Sequence, residues 1–268
     1  MKICRFTLKD STAVSYGVIE GDRVRAPLSV AAWSEALFQN NQESWTHNSR
    51  EIALAEVRLA APVTPSKIVC VGRNYTEHAA ELGNPMPTEP LLFLKAPSSI
   101  IGHEETIELP PESRQVEHEG ELGVVIGRRA RRLGPDDDAL QYVLGYTCLN
   151  DVTARDLQRR DVQFTRGKSF DTFCPVGPFI ETDISPLNLE VITRVNQETK
   201  QRGRTSLMAF PVPMLIRYIS HIMTLNPGDL IATGTPAGVS RLSPGDVVEV
   251  EIEGIGTLRN SVSGEGSG

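Results

Sequence analysis

Residues 116–127 read VEHEGELGVVIG, with an acid at every second position and then an apolar run. Side chains two residues apart in a strand point to one face, so Glu117, Glu119 and Glu121 would follow one another at about 6.6 Å. Like charges at that spacing repel by about 2.5 kcal/mol per pair at an effective dielectric constant of 20. The stretch is therefore either a solvated strand face or, because the apolar run favours a strand that enters a core, a buried cluster that binds a cation.

The composition of the whole chain is that of a globular protein. It has 268 residues, of which 40% are hydrophobic and 23% are charged. A net charge of −7 gives no basic surface for nucleic acid or an anionic membrane. No stretch is apolar enough to span a bilayer, no signal peptide is evident, and the four scattered cysteines are typical of reduced thiols. We therefore predict a cytoplasmic protein with no nucleic-acid or membrane partner.

Strand and turn signals divide the chain into two parts. Residues 1–63 are predicted to form a small N-terminal α+β domain, with two strand-like stretches and a helical pattern at residues 29–40. Pro62 and Pro65 mark the boundary, and residues 64–268 form the second domain. Strands dominate that domain without regular alternation with helices, which predicts an α+β fold with a large mixed sheet. Its helices are predicted in NYTEHAAEL, TARDLQRRDV and VPMLIRYISHIM.

Carboxylates crowded at the mouth of a core require a cation. Oxygen ligands without cysteine and with few histidines favour Mg²⁺, Mn²⁺ or Ca²⁺ over zinc. Asp151 follows an apolar strand in CLND and is a candidate for a third ligand. The alternative is that Asp151 caps the following helix, with Thr153 and Asp156 as a capping pair.

Three further positions carry groups that suit catalysis or binding. His78 and Glu81 are three apart on a predicted helix, and a carboxylate beside an imidazole orients it as a general base requires. Lys168 in RGKSF and Thr235 in ATGTP lie beside glycines and could face a ligand. The alternatives are a surface helix pair, a surface lysine and a plain turn.

Seven blocks of the sequence, taken in order, resemble the fumarylacetoacetate hydrolase family. They cover roughly residues 65–262 and read CVGRNYTEHAAELG, FLKAPSSIIG, VEHEGELGVVIG, GYTCLNDVTARDLQ, GKSFDTFCPVGP, DLIATGTPAGV and PGDVVEVEIEGIGTLRN. The first sixty residues also resemble the small domain that many members carry. The resemblance implies the family's mixed β-roll and usually a homodimer.

The resemblance also implies a divalent metal, usually Mg²⁺ or Mn²⁺. Glu119 and Glu121 match the family's E-x-E ligands, and Asp151 matches the aspartate before T-A-R-D. Glu117 is then a neighbour of the site and not a ligand.

Other matched positions imply roles in catalysis and substrate binding. Lys168 matches the lysine that faces the substrate. His78 and Glu81 match the His-Glu pair on a mobile lid helix in the acylpyruvate hydrolase and oxaloacetate decarboxylase branch. The remaining matches are candidates for substrate binding, namely Arg73, Tyr75, Lys95 and Thr235.

One segment, RVNQETKQRGRTSLMAF, departs from the family pattern. Many members read V-N-G-E and then N-T-S-D-M, whereas this chain has Gln197, Arg204 and Leu207 in place of the glycine, asparagine and aspartate. Because this loop borders the catalytic region in the family, substrate preference stays open.

The implied activity is that of an enzyme acting on 2-oxo (diketo) acids through a metal-stabilised enolate. Hydrolysis of a C–C bond in an acylpyruvate-type substrate ranks first. Decarboxylation or isomerisation of a 2-oxo or 2-hydroxy diacid of aromatic catabolism, of the oxaloacetate or 2-hydroxyhepta-2,4-dienedioate type, ranks second. A non-catalytic, metal-stabilised binding module is the alternative of another class. The His78–Glu81 pair and Lys168 favour an enzyme, because a structural metal needs neither.

Overall fold

Strands dominate the structure, which confirms the predicted α+β class. The computed structural model describes residues 1–27 and 49–264. The first ten strands are β1 (Lys2–Leu8), β2 (Val14–Glu20), β3 (Arg23–Pro27), β4 (Ser49–Ala53), β5 (Val57–Ala60), β6 (Ile68–Gly72), β7 (Leu91–Lys95), β8 (Ile100–Ile101), β9 (Thr106–Glu108) and β10 (Val116–Glu117). The other nine are β11 (Gly120–Ile126), β12 (Val143–Asn150), β13 (Thr153–Ala154), β14 (Cys174–Glu181), β15 (Glu190–Val195), β16 (Glu198–Arg204), β17 (Leu230–Ala232), β18 (Val247–Ile252) and β19 (Gly256–Ser263).

The helices of the described residues are few and short. The α-helices are α1 (Thr76–Glu81), α2 (Arg155–Arg160), α3 (Thr165–Lys168) and α4 (Val212–Ile222). Short 3-10 helices lie at Leu54–Glu56, Pro97–Ser99, Ala139–Tyr142, Pro186–Asn188 and Thr205–Leu207. None of these helices is long and apolar enough to cross a membrane. The helix predicted at residues 29–40 lies outside the described residues.

A mixed sheet of twelve strands carries most of the fold. Its main path runs β4-β3-β2-β1-β14-β12-β11-β17-β6-β7, with β5 paired to β1 and β8 paired to β14. The N-terminal strands are therefore continuous with the sheet of the second part of the chain. A second sheet runs β16-β15-β18-β19-β9, and β10 pairs with β13.

Two apolar cores cover the faces of the main sheet. On one face, Leu122, Val124 and Ile126 of β11 pack in one cluster with Leu215 and Ile219 of α4, and this cluster extends to β15 and β18 of the second sheet. On the other face, Val125 of β11 packs in a cluster with residues of β6, β12 and β1. Because successive strand side chains point to opposite faces, the apolar run after the acidic stretch fills both cores.

Strand directions bring four strand ends to one edge of the main sheet. β17 and β6 are parallel, whereas β11 is antiparallel to both β17 and β12. The carboxyl ends of β6, β12 and β17 therefore lie at the same edge as the amino end of β11. The acidic stretch, residues 150–151, residues 73–75 and residues 233–235 meet there.

The acidic stretch is not one continuous strand, so that part of the sequence prediction is wrong. β10 ends at Glu117 and β11 begins at Gly120, which leaves His118 and Glu119 between two separate pairings. The strand passes so close to β15 at Gly120 that an added Cβ would lie 2.0 Å from Thr193 Oγ1. The break allows the N–H of Glu119 to bond the side chain of Asn150 at 2.9 Å.

Two Pro-Gly-Asp turns, before β17 and before β18, end in aspartates that differ in burial. Asp229 is fully buried, accepts hydrogen bonds from Ser66 Oγ at 2.6 Å and Asn226 N at 2.7 Å, and pairs with Lys67. Asp246 is only half-buried, and it accepts a bond from Ser243 N at 2.7 Å. The first aspartate therefore fixes the start of the β17–β6 pair.

We expect Asp229→Asn to lower the free energy of unfolding by about 1.5–3 kcal/mol, because it removes charged hydrogen bonds in a buried site. The matched change Asp246→Asn should cost less than about 1 kcal/mol, because that carboxylate is partly solvated. Urea unfolding followed by circular dichroism measures both values. Equal losses in the two variants would contradict this account of the first turn.

Candidate active site and metal centre

A cavity of about 440 Å³ opens at the edge where the four strands end. Seven of the ten residues singled out from the sequence line it, namely Arg73, His78, Glu119, Glu121, Asp151, Lys168 and Thr235. Glu81 contacts His78 from outside the lining, and Lys95 and Tyr75 are buried elsewhere around it. The strand topology thus brings together residues that are up to 162 positions apart.

Three buried carboxylates form the inner end of this cavity. Glu119, Glu121 and Asp151 are 5%, 2% and 1% exposed. Each offers one carboxylate oxygen, and the three oxygens lie within 4.8 Å of one another. They converge because β11 and β12 pair with Gly120 opposite Asn150, so the residues flanking that pair are neighbours.

Two lysines hold Asp151 in place. Lys168 Nζ donates to Asp151 Oδ2 at 2.6 Å and to Glu119 Oε2 at 2.9 Å. Lys95 Nζ donates to Asp151 Oδ1 at 2.6 Å and to the carbonyl of Val152 at 3.1 Å. Burial works to lower the pKa of Lys168, but the charges of Asp151 and Glu119 outweigh it and raise that pKa above its usual value. The Lys168 side chain is therefore a fixed positive charge.

Asp151 does not cap the following helix, so the capping alternative is wrong. The cap residue of α2 is Ala154, which makes no side-chain capping bond, and in the first turn Asp156 Oδ1 accepts from Leu157 N at 2.9 Å. Thr153 donates its hydroxyl to the carbonyl of Asp151, and Asp156 accepts from Ser113. The helix predicted in TARDLQRRDV is also shorter than expected, because Thr153 and Ala154 pair with β10 as a strand.

Arg155 joins the acid cluster from α2. Its Nε donates to Glu117 Oε2 at 2.7 Å, and its Nη2 donates to Glu119. Burial works to raise the pKa of Glu119, but Lys168 and Arg155 outweigh it and hold that pKa well below its usual range. Glu119 is therefore ionised, and Glu117 is bound to Arg155 beside the cluster.

Glu121 is the carboxylate of the cluster that forms no ion pair within the described residues. Its Oε2 accepts a hydrogen bond from Gly234 N at 2.7 Å. Burial, together with the charges of Asp151 and Glu119, raises the pKa of Glu121 well above its usual value. The close approach needs glycine at 234, because its φ is +97° and an added Cβ would lie 2.7 Å from Asn74 Cβ.

The donor set fits a divalent cation. Four carboxylates, those of Glu117, Glu119, Glu121 and Asp151, face three cations, those of Lys95, Arg155 and Lys168. Burying an unpaired carboxylate costs several kcal/mol unless a cation offsets it. Carboxylate oxygens at this spacing are ligands that Mg²⁺, Mn²⁺ and Ca²⁺ prefer. Glu119, Glu121 and Asp151 are the residues that would hold such an ion.

His78 faces the cavity and Glu81 contacts it from the exposed side of α1, so the alternative of a surface pair is wrong for the histidine alone. His78 is 4% exposed, and its Nδ1 lies 3.3 Å from Glu81 Oε2. Glu81 Oε1 also accepts a bond from Gly238 N at 3.0 Å. The carboxylate thereby connects α1 to the loop after β17 and orients the imidazole.

Gln201 is a site residue that the sequence analysis missed. Its Oε1 accepts from Gly120 N at 3.0 Å and lies 3.1 Å from His118 Nδ1, while its Nε2 donates to Thr235 Oγ1 at 2.7 Å. Burial lowers the pKa of His118 to about 4, so the imidazole is neutral at neutral pH. An amide oxygen only accepts, so His118 Nδ1 donates. The one uncharged long side chain in the charged run ETKQRGR was the available signal.

Lys95 and Tyr75 lie outside the lining of the cavity. Lys95 is buried behind Asp151, as its hydrogen bonds show. Tyr75 is 3% exposed, and its hydroxyl has no hydrogen-bond partner within residues 1–27 and 49–264. Burial and the charge of Glu121 raise the pKa of that phenol. Tyr75 instead borders a second pocket of about 140 Å³ beside Leu207.

The three departures from the family pattern lie at the surface. Gln197 has a φ of +69° in the turn between β15 and β16. Arg204 donates to Asn188 and pairs with Glu253 at 3.1 Å. Leu207 is 60% exposed. None of them lines the cavity of the acid cluster.

Comparisons with known proteins agree with this geometry. The family model described as "Fumarylacetoacetate (FAA) hydrolase C-terminal" matches residues 67–263, and that described as "Rv2993c-like, N-terminal" matches residues 1–62. Oxaloacetate tautomerase YisK of Bacillus subtilis is 42% identical over 261 residues, 91% of this chain and 84% of that protein. The structure of 2-hydroxyhepta-2,4-diene-1,7-dioate isomerase from Mycobacterium marinum is 43% identical, with a TM-score of 0.87 over 100% of both chains.

A more distant structure contains a metal. Maleylpyruvate hydrolase from Sphingobium sp. SYK-6, solved with manganese(II) and pyruvate, is 31% identical, with a TM-score of 0.81 over 98% of this chain and 99% of that one. The TM-scores confirm the fold that the sequence resemblance implied. The division of the chain at residue 63 stays a prediction.

We expect Glu119→Gln to weaken Mn²⁺ binding at least about tenfold, because it removes a charged ligand from the cluster. Glu117→Gln, two residues earlier, should keep the wild-type affinity within about threefold, because Glu117 is bound to Arg155. Paramagnetic relaxation of water protons measures both affinities. Unchanged binding in Glu119→Gln would remove that residue from the ligand set.

Proposed function

This chain belongs to the fumarylacetoacetate hydrolase family of enzymes, and from that premise we propose that it breaks and forms bonds at the carbon next to the carbonyl of 2-oxo acids, with a divalent metal as cofactor. One observation carries the proposal: a single cavity holds a buried acid cluster whose Glu121 has no cationic partner among the described residues, a fixed ammonium and a carboxylate-oriented imidazole. A structural metal site would need neither the ammonium nor the imidazole.

The reaction proposed first is reversible enolisation, a tautomerisation or isomerisation, of a 2-oxo acid. The sequence analysis ranked C–C hydrolysis first. Relatives with tautomerase and isomerase names are 42% and 43% identical, and structures with hydrolase names are 40% and 31% identical, so the order of the two reactions follows a small difference in similarity. Hydrolysis is the second candidate, because a buried His78 oriented by Glu81 also suits the activation of water.

Glu119, Glu121 and Asp151 would hold the metal, which when bound supplies a Lewis acid that makes negative charge on substrate oxygens less costly. Whether it is Mg²⁺ or Mn²⁺ stays a prediction, as does the homodimer. Lys95 is a positioning residue in this proposal, because its ammonium fixes one oxygen of Asp151.

Lys168 stabilises the anion that forms as the proton leaves. Its ammonium is anchored by Glu119 and Asp151 and is also 5.0 Å from the ring centre of Phe93, which limits its motion. A preorganised charge of this kind typically lowers the activation free energy by about 3 kcal/mol. It also supplies the local attraction for an anion that a chain of net charge −7 lacks elsewhere.

His78 takes the proton from the carbon next to the 2-oxo group and delivers it to the enolate oxygen in a tautomerisation, or to a more distant carbon in an isomerisation, so the imidazole ends the cycle as it began. Glu81 accepts from Nδ1, so Nε2 is left as the basic nitrogen. Such a base typically contributes a factor of about 10² to 10⁴. Thr235 lines the cavity, where its hydroxyl donates to the carbonyl of Gly120 at 2.8 Å and accepts from Gln201 at 2.7 Å, so its side chain shapes the wall and leaves no hydroxyl hydrogen for a substrate carboxylate.

Arg73 is the other of the two substrate-binding candidates that line the cavity. It has a φ of +56°, a left-handed conformation that a non-glycine residue adopts at a cost of about 1 kcal/mol or more. Its side chain is half-buried and forms no ion pair with any described residue. A strained backbone that presents an unpaired cation to a cavity supports a role in binding an anion.

The test is turnover of oxaloacetate, acetylpyruvate and a 2-hydroxymuconate-type dienoate with Mg²⁺, followed through the ultraviolet enol band against a protein-free control. With at least one of the three substrates, we expect the enol absorbance to change faster than in the protein-free control. Adding EDTA should abolish this acceleration while the circular dichroism spectrum stays unchanged. Coupled detection of pyruvate separates hydrolysis or decarboxylation from tautomerisation. If the protein turns over none of the three substrates and the metal changes only its melting temperature, the result would support the binding-module alternative instead.

We expect His78→Ala to lower turnover at least about 100-fold and to leave Mn²⁺ affinity unchanged, because it removes a base and no ligand. His221→Ala is the control, since His221 is exposed on α4 and bonds the carbonyl of Leu133. Initial rates on the active substrate measure both changes. Wild-type rates in His78→Ala would exclude His78 from the mechanism.

A further inference from the structure

We propose that Arg159 is a specificity-determining residue that binds a second carboxylate, so that the enzyme selects dianionic 2-oxo diacids over monoanionic 2-oxo acids. The inference rests on the proposed function, because it assumes that the 2-oxo end of the substrate occupies the acid cluster. Arg159 was not a candidate from the sequence.

Two of the cations that line the cavity are engaged by carboxylates of the protein. Arg155 is bound to Glu117 and Glu119, and Lys168 is bound to Glu119 and Asp151. These side chains are also 2% and 1% exposed, so they are fixed parts of the inner wall. Their charges offset charges of the protein before any substrate arrives.

The other two cations of the lining are not engaged in this way. Arg73 and Arg159 both line the cavity, and neither forms an ion pair in the part of the chain that the structure describes. Arg159 has one hydrogen bond, from Nη1 to Gln115 Oε1, at a length of 3.4 Å. That is beyond the usual range for an N–H···O bond, so the guanidinium is available to an incoming anion.

Arg159 lies at the opening of the cavity, whereas the acid cluster is buried. Its side chain is exposed to solvent and also lines the cavity, which places it at the opening. The three carboxylates of the cluster are at most 5% exposed and form the inner end. A substrate held at the inner end by its 2-oxo carboxylate therefore presents its far end to Arg159.

The charge of the lining favours a dianion. The charged residues are four cations, Arg73, Arg155, Arg159 and Lys168, and three carboxylates, Glu119, Glu121 and Asp151. Four positive charges, three negative charges and a bound dication would give a formal charge of +3. One substrate carboxylate leaves a larger positive charge unbalanced than two do.

The next residue along α2 provides a matched control. Arg160 is exposed like Arg159, but it does not line the cavity and its Nε lies 3.8 Å from Asp161 Oδ1. Arg159→Gln and Arg160→Gln therefore remove the same charge from the same end of one helix. Only the first change removes it from the cavity.

The experiment compares steady-state kinetics on oxaloacetate, a dianion, and acetylpyruvate, a monoanion. We expect Arg159→Gln to raise KM for oxaloacetate about tenfold with kcat within about twofold, and to leave acetylpyruvate unchanged, as for one charged hydrogen bond. Arg160→Gln should change neither KM by more than about twofold. Arg159→Lys should have a KM for oxaloacetate between those of the wild-type protein and Arg159→Gln, because it keeps the charge. An equal loss on both substrates, or no loss on oxaloacetate, overturns the proposal.

Binding of unreactive analogues separates this proposal from the proposed function. Calorimetry with Mg²⁺ measures the affinity for malate, a dianion, and for lactate, a monoanion. We expect the wild-type protein to bind malate more tightly than lactate. In Arg159→Gln the ratio of the malate affinity to the lactate affinity should fall about tenfold. If the wild-type protein turns over neither 2-oxo acid, the proposed function fails, and the malate-to-lactate ratio still decides the role of Arg159. A ratio that is unchanged in Arg159→Gln overturns that role.

Discussion

Four buried carboxylates that face three buried cations are the constraint on which the rest of this structure depends. Each ion taken out of water costs several kcal/mol, and an unpaired one recovers little of that cost. The fold offsets most of the charge through Lys95, Lys168 and Arg155. It leaves Glu121 with a single backbone hydrogen bond from Gly234. A divalent ion bound there would offset the burial and the neighbouring charges that raise the pKa of Glu121, and the cavity in front of the cluster defines the place for a substrate.

The same edge of the sheet ties the separate parts of the site into one frame. Asn74 donates to the carbonyl of Thr233 at 2.7 Å, so the segment before α1 is fixed to the end of β17. Glu81 then fixes the end of α1 to Gly238, and Gln201 joins the start of β11 to the loop at Thr235. A displacement of any one of these loops would therefore move the imidazole, the acid cluster or the substrate pocket relative to the others.

Local patterns in the sequence predicted the strand-rich class, and they raised the acid cluster and the His78–Glu81 pair as alternatives to a solvated strand face and a surface helix pair. The family resemblance then implied the ligand set and the role of that pair. Local patterns failed where contacts between distant residues decide the structure. The acidic stretch breaks at Glu119 because Gly120 packs against Thr193 of another sheet, which no local pattern reveals. Arg159 and Gln201 were missed for the same reason: an exposed arginine and an inward glutamine acquire their roles from strands and helices far away in the chain.

Anomalous diffraction from crystals soaked in Mn²⁺ tests the central claim most directly. The account predicts one anomalous peak per chain, at about 2.0–2.6 Å from an oxygen of each of Glu119, Glu121 and Asp151, the range for hard cations on carboxylates. A peak bound elsewhere would contradict it. So would a cluster that binds no metal, because Glu121, with its raised pKa, would then be a buried neutral carboxyl group and not a ligand.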